Sequence, residues 1–370
     1  MIQVHDVIDE MERWAPSSLA ESWDNAGLMT GSPDDTIASI LVTLDITEEI
    51  LDSAIGRPPS LIISHHPPVF KPLKNLAGSS HSTRILSKAV RENVAIYVAH
   101  TNLDRAPDGV SEALTQKLGL KKTVKLSSGI CPMVKFVTYT PPDSTDRVRE
   151  AAGKAGAGHI GEYSICSFVM PGTGTFQPST SAEPYEGETG KLSRVGEDRL
   201  EMIVPELLVP RVIESVRRAH PYEEMAYDLV VLNNRDETYG YGAVGILDEP
   251  VEESRFPVFV AERLGLPSVR VSNGGNRGRM IQRVAAMGGS GKDFIPHAIG
   301  QSADVYVTGG IGHHDYIDYG DGIMLIDATH RGTELPVLGK IQRRLLSTEW
   351  GSSVTIDVEE GSAPVTVITN

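Results

Sequence analysis

Apolar residues along this chain change spacing in a regular order. Val4, Val7, Ile8 and Met11 fall at the helical interval, and Pro16-Ser17-Ser18 ends that run. Residues 37–44 form an apolar stretch that predicts a strand ending in Asp45, and Thr47-Glu48-Glu49 opens a helix with carboxylates at its positive end. Leu61-Ile62-Ile63 predicts a second strand buried on both faces, and Pro67 and Pro68 stop it. Residues 81–93 read as a helix, 94–98 as a strand, and 109–118 as a helix closed by Gly119. Strands separated by helices predict parallel pairing through right-handed crossovers.

The middle of the chain has a different order. A strand at 133–139, a helix at 144–155 and a strand at 163–170 precede a Gly/Pro/Ser/Thr-rich loop from Pro171 to about Gly196. A strand at 199–204, a helix at 206–219 and a strand at 227–232 then repeat β-α-β, which predicts a ferredoxin-like unit of two halves. From Tyr239 the α/β style returns, with strands at 242–247, 269–271, 281–287, 305–308, 322–327, 354–358 and 365–368, and helices at 256–264 and 335–346. Turns are expected at 273–278 and at the glycine-rich residues 288–292. The expected organisation is an α/β domain in two parts, 1–127 and 237–370, interrupted by an α+β insertion over 128–236.

Composition narrows the class. A 370-residue chain that is 40% hydrophobic has ample core, and 49 acidic against 34 basic side chains give a net charge of -15. That balance disfavours a broad phosphate-tracking surface, so nucleic acid is not an expected partner. Two cysteines, Cys131 and Cys166, supply neither a disulfide framework nor a thiolate zinc cluster. No membrane-length apolar run occurs, and residues 1–8 lack a basic leader followed by an apolar region, so the expected setting is the reducing cytoplasm.

Three predicted strand ends carry nitrogen and oxygen donors. His65 and His66 close one strand; consecutive strand side chains point to opposite faces, so two neighbouring metals suit them better than one. His100 and Asp104 follow a second strand end, and His330 and Glu334 a third, each pair spaced four apart as on one helical turn. A solvated helix face explains any one such pair, but several at strand ends mark the place where open α/β sheets build sites. These donors suit two divalent ions of zinc, iron, manganese, nickel or cobalt rather than copper(I). Two other motifs are weaker. His220-Pro221-Tyr222-Glu223-Glu224 reads as a polar turn after a helix, with metal or ligand binding as its other reading. Residues 286–292 fail as a phosphate loop, because Ala286 stands where glycine is needed and Asp293 where Ser or Thr would hold magnesium.

Ser64-His65-His66-Pro67-Pro68, His100-Thr101-Asn102-Leu103-Asp104 and Asp327-Ala328-Thr329-His330-Arg331-Gly332-Thr333-Glu334, together with Trp23-Asp24-Asn25-Ala26-Gly27-Leu28, resemble the Nif-three-like dinuclear metal-centre family, the GTP cyclohydrolase 1 type 2 homologues. The resemblance implies His65, His66, Asp104, His330 and Glu334 as metal ligands. It puts His66 and Asp104 on one ion, His65 and His330 on the other, and Glu334 between them. It also implies that the insertion is PII/CutA-like and that copies of the chain assemble as a toroidal homo-hexamer. Many relatives carry an acidic residue after the late Thr-Gly, whereas this chain reads Thr308-Gly309-Gly310. No guanine-specific motif accompanies the family label. The expected function is metal-dependent hydrolysis of an unidentified small phosphorylated, nucleotide or cyclic C–N substrate by a metal-bridging hydroxide, with His100 and His314 as candidate catalytic groups. The alternative is a non-enzymatic metal-binding, storage or regulatory protein.

Overall fold

The computed structural model describes residues 2–57, 59–77, 80–272 and 278–362. The turn expected at 273–278 therefore falls almost wholly outside the described residues, and the strand expected at 365–368 does so entirely. The chain forms two compact units, one from Met1–Ser128 with Thr238–Asn370 and one from Gly129–Glu237.

The first unit is α/β with two mixed sheets. One sheet has the order Thr355–Val358, Ser39–Thr43, Ser60–Ser64, Ala95–Val98, Gly27–Thr30; all neighbours are parallel except the last pair. Every residue of Ser39–Thr43 and Ser60–Ser64 is buried, as a parallel strand covered on both faces requires. Leu41, Ile62 and Ile96 meet Ile50 and Ile85 in the core, on helices Glu48–Ile55 and His81–Arg91. Thr47 and Ser80 cap those helices by accepting backbone N–H groups. The other sheet has the order Arg270–Val271, Met324–Asp327, Val305–Gly309, Met280–Ser290, Gly240–Glu252, Lys121–Ser128. Its three inner strands up to Met280–Ser290 run parallel, and the flanking ones antiparallel. Phe256, Val284 and Ile326 fill one face, and Ala285, Ile295 and Leu325 the other.

Three details of this unit depart from expectation. Lys121–Ser128 is a strand where none was expected; its lysines and the exposed Val124 hide the alternation, and such charges suit an edge. Gly288 and Gly289 continue the Met280–Ser290 strand rather than turning. His313 and His314 open a helix, His313–Tyr319, where no helix was expected.

The second unit runs β-α-β-β-α-β: Cys131–Thr140, Thr145–Lys154, Ser167–Phe176, Ser193–Pro205, Val209–Ala219, Tyr227–Asp236. Its sheet is antiparallel throughout, with Cys131–Thr140 and Ser193–Pro205 at the centre. Phe136, Leu200 and Val204 pack on Val148, Val212 and Val216 of the two helices. The loop expected over 171–196 is shorter than predicted, because Phe176 pairs with Ser193 and Gly172 with Glu197. Gly172-Thr173-Gly174-Thr175 carries no apolar period, so only the backbone ladder reveals the strand. Among the described residues no helix is long and apolar enough to cross a membrane.

Candidate metal centre

The site lies in the first unit, at the C-terminal ends of strands from both sheets. Beyond Ser60–Ser64 the ladder continues through the histidines, since the His65 N–H donates to the Thr43 carbonyl at 3.1 Å and the His66 N–H to the Leu44 carbonyl at 2.8 Å. His65 is fully buried. Its Nδ1 lies 2.8 Å from the Ala99 carbonyl, which only accepts, so Nδ1 carries the proton and Nε2 faces the site. The Nδ1 of His66 lies 2.8 Å from Asp45 Oδ1, which orients the second ring in the same way.

The late strand Met324–Asp327 delivers the other ligands. Ala328 donates to the Thr308 carbonyl at 2.8 Å, and Thr329 then takes φ 63° and ψ 153°, a region that costs a β-branched residue about 1–3 kcal/mol. Asp327 holds that residue by accepting its N–H at 2.9 Å, and Thr329 Oγ1 caps the next turn by accepting the Gly332 N–H at 3.0 Å. The strained turn places His330 and Glu334 on one helical face. Strand glycines make the room: a Cβ on Gly289, at φ 69°, would sit 2.6 Å from Glu334 Oε1, and one on Gly309 would sit 2.6 Å from the His330 nitrogen.

Glu334, 3% exposed, is the hub. Its Oε1 is 3.1 Å from His330 Nε2 and 3.5 Å from His65 Nε2, and its Oε2 is 3.1 Å from His66 Nε2. Asp104 Oδ1 is 3.7 Å from His65 Nε2, and the Nε2 atoms of His66 and His330 are 3.1 Å apart. Glu334 Oε1 thus lies against His65 and His330 and Oε2 against His66, while His65 also faces Asp104.

The donors fit cations for a physical reason. With Nδ1–H committed to Ala99, a neutral His65 aims a lone pair at two carboxylates, and neither His65 Nε2 nor Glu334 Oε2 has a hydrogen-bond partner although both are buried. Such groups repel unless positive charge lies among them. Without metal, protons are that charge. Burial alone would lower His66, but Asp45 and Glu334 outweigh it and push its pKa up to about 10. His65 is likewise raised by Glu334 and Asp104 against its burial. Burial works to raise Glu334, yet the three imidazoles hold it well below the usual carboxylate range, whereas Asp104 is raised chiefly by burial. Two groups of side chains have donor atoms within reach of one ion, His65 with His66 and His100, and His66 with His330 and Glu334. The cluster is thus a candidate dinuclear metal-binding site.

His100 borders it and rests on a residue whose role the sequence did not disclose. Its Nδ1 lies 2.8 Å from Asp24 Oδ1, and Asp24 Oδ2 accepts from both the backbone and the hydroxyl of Thr101. Burial would raise Asp24, but the hydrogen bonds from His100 and Thr101 keep it far below its ordinary value. Trp23 and Phe70, both exposed, stand edge-on to the His100 ring at 6.2 and 5.6 Å. His314 is not brought into the cluster: it is exposed on the His313–Tyr319 helix and contacts the His313 ring at 5.5 Å. Asp24 was visible in the sequence only as part of the Trp23–Leu28 motif and Asp45 as a strand end, and the fold shows which rings they support.

Comparison with known proteins agrees over the chain's length. The family Duf34/NIF3 (NGG1p interacting factor 3) matches residues 2–361. A Halalkalibacterium halodurans protein named GTP cyclohydrolase 1 type 2 homolog is 38% identical over 353 residues, covering 94% of each chain. Its namesake from Bacillus subtilis is 37% identical, covering 92% of this chain and 91% of the other. A Bacillus cereus protein related to NIF3 superimposes with a TM-score of 0.84 at 36% identity, covering 99% of both chains.

Proposed function

The chain belongs to the Duf34/NIF3 family, and from that premise we propose that it is a metal-dependent hydrolase with a dinuclear centre, acting on a phosphorylated, nucleotide or cyclic C–N substrate. The observation that carries the reading is the pair of buried atoms without hydrogen-bond partners, His65 Nε2 and Glu334 Oε2, beside a histidine that is itself oriented by a carboxylate. In this proposal His65, His66, Asp104, His330 and Glu334 would hold two divalent ions. Ions held there would acidify a bound water and polarise a substrate oxygen.

The remaining roles belong to the chain's own side chains. Asp24 accepts the Nδ1–H of His100 and so leaves Nε2 free to take or return a proton at the edge of the centre. Asp45 and the Ala99 carbonyl hold the ligand rings in the tautomer that presents Nε2. Trp23 and Phe70 supply apolar edges against which a substrate's planar part rests. The first unit acts as the metal domain and Gly129–Glu237 as a ferredoxin-like, PII/CutA-like insertion; a cytoplasmic toroidal homo-hexamer completes the proposal.

Metal analysis of protein purified without added metal, followed by assays on nucleotides, phosphoesters and cyclic amides, tests the reading. About two divalent ions per chain and a turnover abolished by His65→Ala support it. Tightly held metal with no turnover on the panel would favour a storage or regulatory protein instead. Light scattering at any mass other than six chains overturns the hexamer.

A further inference from the structure

A cavity of about 720 Å³ lies wholly within the Gly129–Glu237 unit, a volume suited to a small organic ligand. The paired extension of Ser167–Phe176 and Ser193–Pro205 forms one wall, and the 177–192 loop and the turn after Val209–Ala219 form the others. Four aromatic side chains, Tyr139, Phe176, Tyr185 and Tyr222, are among its lining, with the last two rings 5.9 Å apart and tilted by 49°. Its charge is acidic, from Glu186, Glu197, Glu223 and Glu224. The lining has one basic side chain, Arg199, already tied to Glu201 at 2.9 Å.

The turn His220-Pro221-Tyr222-Glu223-Glu224 is what shapes this cavity. His220 Nε2 lies 2.9 Å from the Tyr139 carbonyl, and Nδ1 accepts the Tyr222 N–H at 3.1 Å, so both ring nitrogens are spent and the ring is a brace rather than a ligand. Burial lowers its pKa, in keeping with the neutral ring those bonds require. The Tyr222 hydroxyl donates to Glu197 Oε1 at 2.9 Å, while Glu197 Oε2 lies over Gly174, where a Cβ would come within 1.9 Å of it. Glu223 Oε2 accepts the Glu183 N–H at 2.8 Å and fastens the 177–192 loop. Carboxylates and ring faces are therefore positioned in advance.

We propose that this cavity binds an organic cation, an ammonium or guanidinium group on an apolar or aromatic body, with the charge at Glu197 and the body against Tyr185 and Tyr222. Ring faces attract such cations, and an acidic lining strengthens that attraction while repelling anions. A bare metal ion fits poorly: among the described residues, no group of three metal-competent side chains within reach of one ion occurs in this unit.

The test is calorimetric titration of the full chain with benzyltrimethylammonium, using benzoate as the anionic control. Saturable binding of the cation is expected, weakened roughly tenfold or more in Glu197→Gln and in Tyr222→Ala. Tyr222→Phe, which keeps the ring, should bind within about threefold of the parent, and Glu334→Gln should bind as the parent does. Circular dichroism checks that each variant is folded. Failure of the cation to saturate, equal binding of benzoate, or undiminished binding in both Glu197→Gln and Tyr222→Ala would overturn the proposal.

Discussion

Glu334 and Glu197 are both carboxylates set over a strand glycine, Gly289 and Gly174 respectively, yet they are finished differently. Glu334 is buried among imidazoles and keeps an oxygen with no hydrogen-bond partner, whereas Glu197 is half-buried and already accepts a tyrosine hydroxyl. A buried carboxylate left short of donors has an unpaid electrostatic demand that only small cations or protons meet. A half-buried one with a donor in place has a lower demand, and aromatic neighbours let it select a larger, softer cation. The same local device, a glycine under a carboxylate, thus serves two kinds of recognition according to burial.

The sharpest way to break the comparison is to remove the hub. Glu334→Ala should strip metal from the purified chain and cut hydrolysis on the order of 10²–10³; metal content equal to the parent's would sink the role given to Glu334. Asp24→Ala should lower turnover by roughly 10–100-fold at unchanged metal content and alter the pH–rate profile, because the His100 tautomer is released. His314→Ala, outside the cluster, should leave turnover within about twofold, and a large loss there would move catalysis away from His100. The two glycines separate the sites directly. Gly289→Ala should weaken metal affinity by roughly 10–100-fold, and Gly174→Ala should leave it unchanged while weakening the organic cation.

A separate effect is a pH dependence of the metal-free protein. With His66 lifted from 6.5 to about 10 in the fold, its contribution to stability is full below pH 6.5 and is lost as pH rises through about 10. The thermal midpoint of chelator-treated protein should therefore fall across that window, and Asp45→Asn should flatten the fall. A midpoint that rises over the same range would show that His66 is not protonated in the folded chain.

Much of this architecture was legible because long apolar runs and strand-end histidines leave local marks. The buried run before His65 and the helix opened by Thr47 needed only periodicity and capping chemistry to read. What escaped depends on contacts distant in sequence. Asp24 and His100 meet across two loops, and no spacing rule announces that one carboxylate orients the other's ring. The strand at Lys121–Ser128 was hidden by its lysines, and the 171–176 strand by its glycines. The supports of the ligand rings escaped as well, since nothing local tells that Ala99 holds His65 and Asp45 holds His66.

The sheet that ends in His65 and His66 is completed by Thr355–Val358, which pairs in parallel with Ser39–Thr43. During synthesis the first ligands emerge long before that strand and before Glu334. At about 5–20 residues per second, Asp104 precedes Glu334 by on the order of 10–50 s. For that interval the nascent chain offers imidazoles and one carboxylate without Glu334 or the last strand of their sheet. The full set of candidate ligands therefore comes together only late in synthesis, and until then the chain is an open half-site.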